Sequence, residues 1–324
     1  MIDTVMHRIT AVFLSILLLS AIPLNGQKKR AAAPFVFTPQ WTAQAQFAGY
    51  YVAQEKGFYE EAGITVVIEH PNSTRTALDR IRKNQSEATT LPIAQAMEVM
   101  DSGIPLVNIL QTSMNSGLML VSRRGKDPLQ QRGATASCFR AGFSQLAICM
   151  AQEKQLDYNW IEAANMLNLF VAGAIDVALC MSYNEYYQLL QTGLIDLSSE
   201  GVVCRLSQEG YNIQEDGVYM TRDAFRKDSE RALKFAAASR RGWEYAAEHP
   251  DEALEIVMRY VRKHHIATNP VLQRLMLQEI LRLMENEDGV RSYTLEPEMV
   301  NRCSQLLLEA GLIRNPHPIE SFRP

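Results

Sequence analysis

Residues 170–194 read FVAGAIDVALCMSYNEYYQLLQTGL and contain three local patterns in succession. The apolar segment AIDVALCM in the middle is short and continuous, which predicts a strand buried on both faces. The polar SYN that follows leads into EYYQLLQTG, which has apolar residues at helical spacing and a glycine where a helix would end. Together with the helical residues before it, this strand and helix predict one repeating unit of a mainly parallel α/β sheet.

The same alternation extends outward from this stretch in both directions. Residues 34–125 alternate short apolar runs, such as ITVVI at 64–68, with amphipathic segments, and the alternation restarts after the polar stretch RRGKDPLQQRG at 123–133. From residue 222 onward the apolar residues recur at three- and four-residue spacing, which predicts helices. The predicted fold class is therefore α/β, with two α/β blocks, the second inserted in the first, and a helical C-terminal part.

Two predicted strands connect the blocks, GLMLVSR at 117–123 and DGVYMTR at 216–222. They predict two lobes joined by a two-strand hinge, with lobe 1 formed by residues 35–124 and 215–324 and lobe 2 by residues 125–214. Ligands of open α/β sheets bind beyond the carboxyl ends of the strands, so two facing sheets place the site in the cleft between the lobes. Closure of the hinge around a ligand follows from that arrangement.

The N-terminal residues differ in character from the rest of the chain. An apolar run at 9–22 follows Arg8 and is too short to span a bilayer comfortably, which is typical of the core of a secretory signal peptide. We predict a signal peptide over residues 1–26 and a linker over 27–34, and hence export to the periplasm. The basic residues 28–30 keep an alternative open, in which the segment is not cleaved and anchors a sensory or accessory module to the membrane.

The composition excludes several classes of protein. The chain has 324 residues, of which 47% are hydrophobic and 21% charged, and a formal net charge of −4. These values are ordinary for a soluble protein and exclude collagen, disordered chains and polytopic membrane proteins. The nearly balanced charge argues against nucleic acid as a partner.

Few motifs in the chain indicate chemistry. Its five cysteines form no CxxC pair and no Cys/His cluster, so the sequence predicts neither a disulfide framework nor a metal site, although one bridged pair stays open. The signatures GxSxG, HExxH, GxxxxGK[ST] and GxGxxG are also absent. We therefore predict no catalytic residue and no cofactor.

The residues that directly follow the predicted strands are candidates for the cleft. Aromatic, amide and hydroxyl side chains dominate among them, and such a lining suits a flat heteroaromatic ligand, because rings stack on it while amides and a carboxylate bond its edge. The predicted ligand-binding residues are Trp41, Gln44, Phe47, Tyr50, Thr90, Asn115, Ser116, Arg140, Phe143, Tyr183, Asn184 and Glu185.

Two of these positions allow more than one interpretation. Glu185 opens a predicted helix, where an acid is stabilised by the helix dipole alone, or it hydrogen-bonds the edge of an aminopyrimidine-type ring. The segment FRAGFS at 139–144 contains Arg140 and resembles a turn that binds an anion such as a phosphate or sulfonate. Ordinary turn chemistry, with Ser144 as the helix N-cap, explains the same residues.

Several of these segments resemble one known family. They are QWTAQAQFAGYYVAQEKGFYEEAG at 40–63, ATTLP at 88–92, PLVNILQTSMNSGLMLV at 105–121 and the stretch 170–194. All four are similar to periplasmic substrate-binding proteins grouped with the eukaryotic pyrimidine synthase of thiamine biosynthesis and with sulfonate and taurine binders. The resemblance covers nearly the whole mature chain, from about residue 35 to residue 311.

The resemblance implies a type-II periplasmic-binding-protein fold and the function of an exported solute-binding protein of an ABC importer. Such a protein delivers a thiamine-related pyrimidine precursor, of the aminomethyl- or hydroxymethyl-pyrimidine type, to a membrane permease, and a monomer suits this role. By position, Trp41, Tyr183 and Glu185 match residues that stack on the pyrimidine and hydrogen-bond it. Asn115 and Ser116 match a polar patch at the hinge.

Two departures from the family pattern bear on function. The family's synthase has a cysteine cluster about where this chain has EDGVYMTRDAF, and no cysteine lies between Cys204 and Cys303 here, which disfavours a pyrimidine-forming enzyme. We therefore predict that the protein is not an enzyme. Cys138, Phe139 and Arg140 replace a flexible turn of many relatives, so a sulfonate- or taurine-type binder of the same fold stays as the alternative.

Overall fold

The computed structural model of the protein describes residues 33–72, 74–123, 125–139, 143–163, 166–195 and 202–324. The predicted signal peptide and most of the linker lie outside these residues, as does Arg140. The residues Pro34–Pro324 form one compact unit. All strands, helices and contacts below belong to it.

The strands occur where the sequence has short apolar runs. They are β1 (Phe35–Thr38), β2 (Val66–Ile68), β3 (Ala88–Leu91), β4 (Leu106–Gln111), β5 (Leu118–Ser122), β6 (Thr135–Cys138), β7 (Asn159–Glu162), β8 (Val177–Met181), β9 (Val203–Arg205) and β10 (Gly217–Thr221). Every residue of β3, β5 and β8 is buried, as expected for strands covered on both faces.

Helices alternate with these strands and then follow one another in the last third of the chain. They are α1 (Ala48–Glu55), α2 (Phe58–Glu61), α3 (Ala77–Arg82), α4 (Ile93–Asp101), α5 (Gln145–Glu153), α6 (Met166–Ala172), α7 (Glu185–Gln191), α8 (Arg222–Lys227), α9 (Ser229–Glu248), α10 (Pro250–Lys263), α11 (Pro270–Leu283) and α12 (Pro297–Glu309). The helical C-terminal part is therefore present as predicted.

The strands form two five-stranded sheets. The first sheet has the order β2-β1-β3-β10-β4 and the second the order β7-β6-β8-β5-β9. In the first sheet only β10 runs antiparallel to its neighbours, and in the second only β5 does. These mainly parallel sheets with alternating helices confirm the predicted α/β fold class.

Helix α9 packs closely against the first sheet and against α1. The ring of Phe235 stacks on Phe35 with 4.6 Å between ring centroids. A Cβ atom at Gly242 would overlap the carbonyl oxygen of Gly49, so the two helices approach backbone to backbone at this point. The long helix is thus anchored by one aromatic stack and one contact that only glycine permits.

The chain crosses between the sheets twice, through residues 112–117 and 206–216. The two strands predicted to form the hinge, β5 and β10, each belong to one sheet, because β5 pairs with β8 and β9 whereas β10 pairs with β3 and β4. Sheet membership therefore moves β5 out of predicted lobe 1. The division into two lobes, with the boundaries predicted from the sequence, remains a prediction.

The two crossing segments are hydrogen-bonded to each other. The Ser116 hydroxyl and the Gly117 backbone N–H donate to the two carboxyl oxygens of Glu215, at 2.7 and 3.0 Å. The Ser116 backbone N–H donates to the side-chain oxygen of Asn212 at 2.9 Å. These bonds hold the two crossing segments in a fixed position relative to each other.

Two further features concern the helices and the cysteines. None of the helices in the part of the chain that the structure describes is long and apolar enough to cross a membrane. All five cysteines are free thiols, and four of them are buried.

Candidate functional site

A pocket lies where the carboxyl ends of strands from both sheets meet. It encloses about 410 Å³ of space between atoms, part of which is open to solvent. Most of its lining residues follow β1, β3, β6 and β8, Met181 is the last residue of β8, and two further ones precede the antiparallel strand β10. They are Gln40, Trp41, Gln44, Gln46, Pro92, Phe139, Phe143, Met181, Tyr183, Asn184, Glu185, Glu215 and Asp216. The position agrees with the rule that open α/β sheets bind ligands at this edge.

Three rings from the second sheet, Phe139, Phe143 and Tyr183, form what we call the aromatic wall. Phe139 and Phe143 meet edge to face, with 6.3 Å between ring centroids and an interplanar angle of 89°. Trp41, from the first-sheet side, meets Phe143 edge to face at 5.9 Å and 82°. Rings arranged this way restrain one another, so the wall offers flat apolar surface in a defined position.

The position of Tyr183 depends on a glycine in the first crossing segment. A Cβ atom at Gly117 would lie 3.2 Å from Cδ1 of Tyr183 and 3.1 Å from Oγ of Ser182. Tyr183 is only 4% exposed. Close packing against the crossing segment therefore holds this ring at the pocket.

Four side chains on the first-sheet side, Gln40, Gln44, Gln46 and Asp216, form what we call the amide wall. The amide nitrogens of Gln40 and Gln46 both donate to the Asp216 carboxyl, the Gln46 bond to Oδ2 being 2.9 Å long. The amide nitrogen of Gln44 donates to Oε1 of Gln46 at 2.6 Å. Burial raises the pKa of Asp216 to about 6, although both glutamine bonds act in the opposite direction.

Two glutamates complete the polar lining. Burial raises the pKa of Glu215 to about 7, against the lowering effect of its bonds from Ser116 and Gly117. Glu185, the first residue of α7, accepts bonds from the Met181 backbone N–H at 3.0 Å and from the Asn184 amide at 2.9 Å. Burial raises the pKa of Glu185 as well. Both carboxyl groups are oriented by the backbone beside them.

Trp41 is supported from behind by a neutral histidine. Nδ1 of His70 lies 2.6 Å from the Trp41 carbonyl oxygen, and its Nε2 lies 2.8 Å from the Tyr51 hydroxyl. Because a carbonyl only accepts, Nδ1 carries the proton and Nε2 accepts from Tyr51. Burial lowers the pKa of His70 to about 4, so the ring stays neutral at ordinary pH.

Comparison with known proteins identifies the family. A family model described as NMT1/THI5 like matches residues 44–253 of the chain. The chain belongs to the NMT1/THI5-like family. The riboflavin-binding protein RibY of Chloroflexus aurantiacus is 22% identical over 300 residues, which cover 85% of this chain and 80% of RibY. The formylaminopyrimidine-binding protein of Halalkalibacterium halodurans is 24% identical over 298 residues, 87% of each chain.

Solved structures of similar fold are known. The periplasmic aliphatic sulphonate binding protein SsuA of Escherichia coli superimposes with a TM-score of 0.63 at 12% identity, over 90% of this chain and 92% of SsuA. At this identity the likeness shows the fold alone. It confirms the predicted periplasmic-binding-protein fold, and the family match confirms the resemblance that the sequence carries.

The structure of this NMT1/THI5-like protein brings half of the predicted ligand-binding residues together. Those that line the pocket are Trp41, Gln44, Phe143, Tyr183, Asn184 and Glu185. Arg140 lies outside the described residues. The ligand-binding role of all these residues remains a prediction.

Five predicted residues lie off the pocket, and each has another partner. The ring of Tyr50 packs against Phe37, and Phe47 packs against His70. Thr90 accepts the backbone N–H of Gln40 at 2.9 Å. The other two lie in the first crossing segment, where Asn115 bonds the Glu285 carbonyl and Ser116 bonds Glu215.

Seven residues that line the pocket are absent from the predicted list, and one signal in the sequence points to two of them. The seven are Gln40, Gln46, Pro92, Phe139, Met181, Glu215 and Asp216. Glu215 and Asp216 directly precede an apolar strand, which is an unusual place for two acids in succession. The amino end of an antiparallel strand lies at the same sheet edge as the carboxyl ends of its parallel neighbours. Had β10 been taken as antiparallel, both acids would have been placed at the cleft.

Proposed function

We propose that the protein is the exported solute-binding component of an ABC importer, and that it captures a thiamine-related pyrimidine precursor. The ligand is of the aminomethyl- or hydroxymethyl-pyrimidine type. The observation that carries this proposal is the combination, in one pocket, of rings from both sheets with three carboxyl groups. Rings such as Trp41 and Tyr183 stack on a flat heterocycle, and Glu185 accepts from its amino edge.

Charge argues against the sulfonate alternative. The lining residues that the structure describes include the acids Glu185, Glu215 and Asp216 and no Lys, Arg or His side chain. A sulfonate or phosphate would meet like charge there at short range, which costs free energy in a partly desolvated site. A neutral or cationic aminopyrimidine avoids this repulsion. The ligand screen described below includes sulfonates, and binding of sulfonates alone would contradict the proposal.

The names of two relatives support a nitrogen heterocycle. One relative is named for riboflavin and the other for a formylaminopyrimidine. Both names describe binding proteins rather than enzymes, which supports a function without chemistry and without a cofactor.

In this proposal the protein acts outside the cytoplasm as a monomer and passes its ligand to a membrane permease. Removal of residues 1–26 would leave a mature chain that starts at or near Gln27. Intact-mass measurement of the exported protein tests this step, and retention of Met1 would favour the anchored alternative instead.

A ligand screen tests the central claim. The purified mature chain is melted with thiamine, aminomethyl- and hydroxymethyl-pyrimidine with and without phosphate, riboflavin, taurine and alkanesulfonates. A pyrimidine present at a hundredfold excess over its Kd should add about 2.7 kcal/mol of stability, a shift of several degrees in Tm. Stabilisation by sulfonates alone would contradict the pyrimidine assignment.

A matched pair of variants then locates the site. Glu185→Gln should weaken pyrimidine binding about tenfold, because an amide in place of the carboxylate turns one acceptor toward the ligand into a donor. Glu298→Gln makes the same change on the exposed side of α12 and should leave the Kd unchanged. Equal affinities in both variants would remove Glu185 from the proposed contact.

A further inference from the structure

One acceptor in the pocket has no partner. Oε1 of Gln40 is buried and makes no hydrogen bond with any described residue. The residue as a whole is only 8% exposed, and it lines the pocket. A buried carbonyl oxygen without a donor costs free energy, which a ligand that supplies a donor would recover.

The orientation of the Gln40 amide is fixed by its neighbours. Its nitrogen donates to the Asp216 carboxyl, and its backbone N–H donates to Oγ1 of Thr90. Turning the amide over would place its oxygen against the carboxyl oxygens, where two acceptors face each other. The carbonyl is therefore the unpartnered end of this amide, in a residue that lines the pocket.

The amide nitrogens of Gln44 and Gln46 also donate hydrogen bonds within the wall. The nitrogen of Gln46 is committed to Asp216, and the nitrogen of Gln44 is committed to Gln46. These bonds turn the amide nitrogens toward one another and toward the carboxyl group. What the wall offers a ligand is the unpartnered acceptor Oε1 of Gln40, next to the negative charge of Asp216.

We infer that Gln40 and Asp216 form a second recognition point, which binds a positively charged, hydrogen-donating group of the ligand such as a primary ammonium. This inference rests on the proposed function and deepens it. Glu185, on the second-sheet side, accepts from the amino edge of the ring, while Oε1 of Gln40 accepts an N–H from a substituent and Asp216 balances its charge. The site then selects aminomethyl- over hydroxymethyl-pyrimidine and rejects phosphate esters.

The substitution Asp216→Asn tests the inference because it removes the negative charge of the wall. The amides of Gln40 and Gln46 both donate to Oδ1 of Asp216, so an asparagine can keep its carbonyl oxygen toward them and leave Oε1 of Gln40 facing the same way. The binding of an ammonium group should suffer because its charge is no longer balanced. The binding of a neutral hydroxyl group should not.

Isothermal titration calorimetry with the two pyrimidines measures the effect. Wild type should bind the amine about tenfold more tightly than the alcohol, and Asp216→Asn should reduce this ratio to near one while the Kd of the alcohol changes less than about threefold. The exposed Asp223→Asn, seven residues along the chain, is the matched control and should keep the wild-type ratio.

A second variant tests the inference even if the Asp216→Asn protein does not fold. Gln40→Met has a similar volume and lacks the acceptor, and it should weaken the amine and the alcohol alike by about tenfold. An unchanged amine-to-alcohol ratio in Asp216→Asn, equal affinities in wild type, or unchanged binding in Gln40→Met would overturn the inference alone. Binding of neither pyrimidine to wild type would overturn the proposed function and this inference with it.

Discussion

The two walls of the pocket are held in place by different forces. In the amide wall each glutamine is fixed by a hydrogen bond. Gln40 and Gln46 donate to Asp216, and Gln44 donates to Gln46. In the aromatic wall the rings are fixed by packing against one another and, for Tyr183, against Gly117. Hydrogen bonds set direction, whereas packed rings supply contact area. We therefore expect the aromatic wall to supply most of the affinity and the amide wall, through Asp216, to determine which ligand binds.

The sharpest test of this comparison removes one ring. Tyr183→Leu keeps an apolar side chain but loses the stacking surface, and it should weaken pyrimidine binding by about 3 kcal/mol, roughly 150-fold in Kd. Tyr187→Leu makes the same change on α7 at a residue that does not line the pocket, and its Kd should stay at the wild-type value. Equal losses in the two variants would mean that the aromatic wall does not carry affinity.

The second prediction concerns the carboxyl group that joins the crossing segments. Glu215 has a pKa of about 7 in the folded protein and about 4.5 when unperturbed. Both states are protonated below pH 4.5, and as the pH rises toward 7 the unfolded chain releases this proton first, so the folded state loses relative stability. Glu215→Gln carries no such proton. Its stability relative to wild type should rise by about 3 kcal/mol between pH 4.5 and 8.

Chemical denaturation of both proteins across this pH range provides the measurement. His70 acts in the opposite direction, because its lowered pKa destabilises the folded state as the pH falls from about 6.5 to 4. That contribution is common to both proteins and cancels in the difference. A difference that stays flat with pH would show that Glu215 is ionised normally in the folded protein.

A third prediction breaks the hydrogen-bond chain of the amide wall. Gln46→Met removes one donor to Asp216 and leaves the Gln44 amide without its acceptor, so the free energy of unfolding should fall by about 1.5 kcal/mol. Gln305→Met, on the exposed face of α12, should change it by less than about 0.5 kcal/mol. Urea unfolding at neutral pH measures both. A Gln46→Met protein as stable as the control would mean that the wall is not held by these bonds.

The sequence predicted the strands well because local pattern determines them. The apolar runs FVFT and VALCM became β1 and β8, and the glycine after LLQT marks the end of α7 as expected. Which sheet β5 joins depends on partners that lie about 60 and 85 residues further along the chain. No local pattern contains that information, and this is why the predicted hinge strands differ from the observed crossing segments.

The amide wall shows why half of the site could not be predicted. A short 3-10 helix at Ala45–Phe47 precedes α1 and shifts the direction of the side chains around it. Gln44 and Gln46 consequently face the pocket, while Phe47 and Tyr50 face the core. The sequence predicted Gln44 for the site but also Phe47 and Tyr50, and it omitted Gln46. Local pattern does not show where the 3-10 helix ends and the regular helix begins, and that point decides which of these side chains face the pocket.

The smallest expected change in Kd is that of Tyr50→Phe, which lies just beyond the amide wall. Tyr50 lies one turn beyond Gln46, and its ring packs between Phe37 and Trp243, with centroid distances of 4.6 and 5.7 Å. Tyr50→Phe keeps these contacts, so the Kd for a pyrimidine should change less than about twofold. Titration calorimetry alongside Gln40→Met compares two positions on the same side of the pocket. A loss of fivefold or more in Tyr50→Phe would extend the ligand's hydrogen-bond network past Gln46 and into the core, and the two walls would then no longer divide affinity from selectivity.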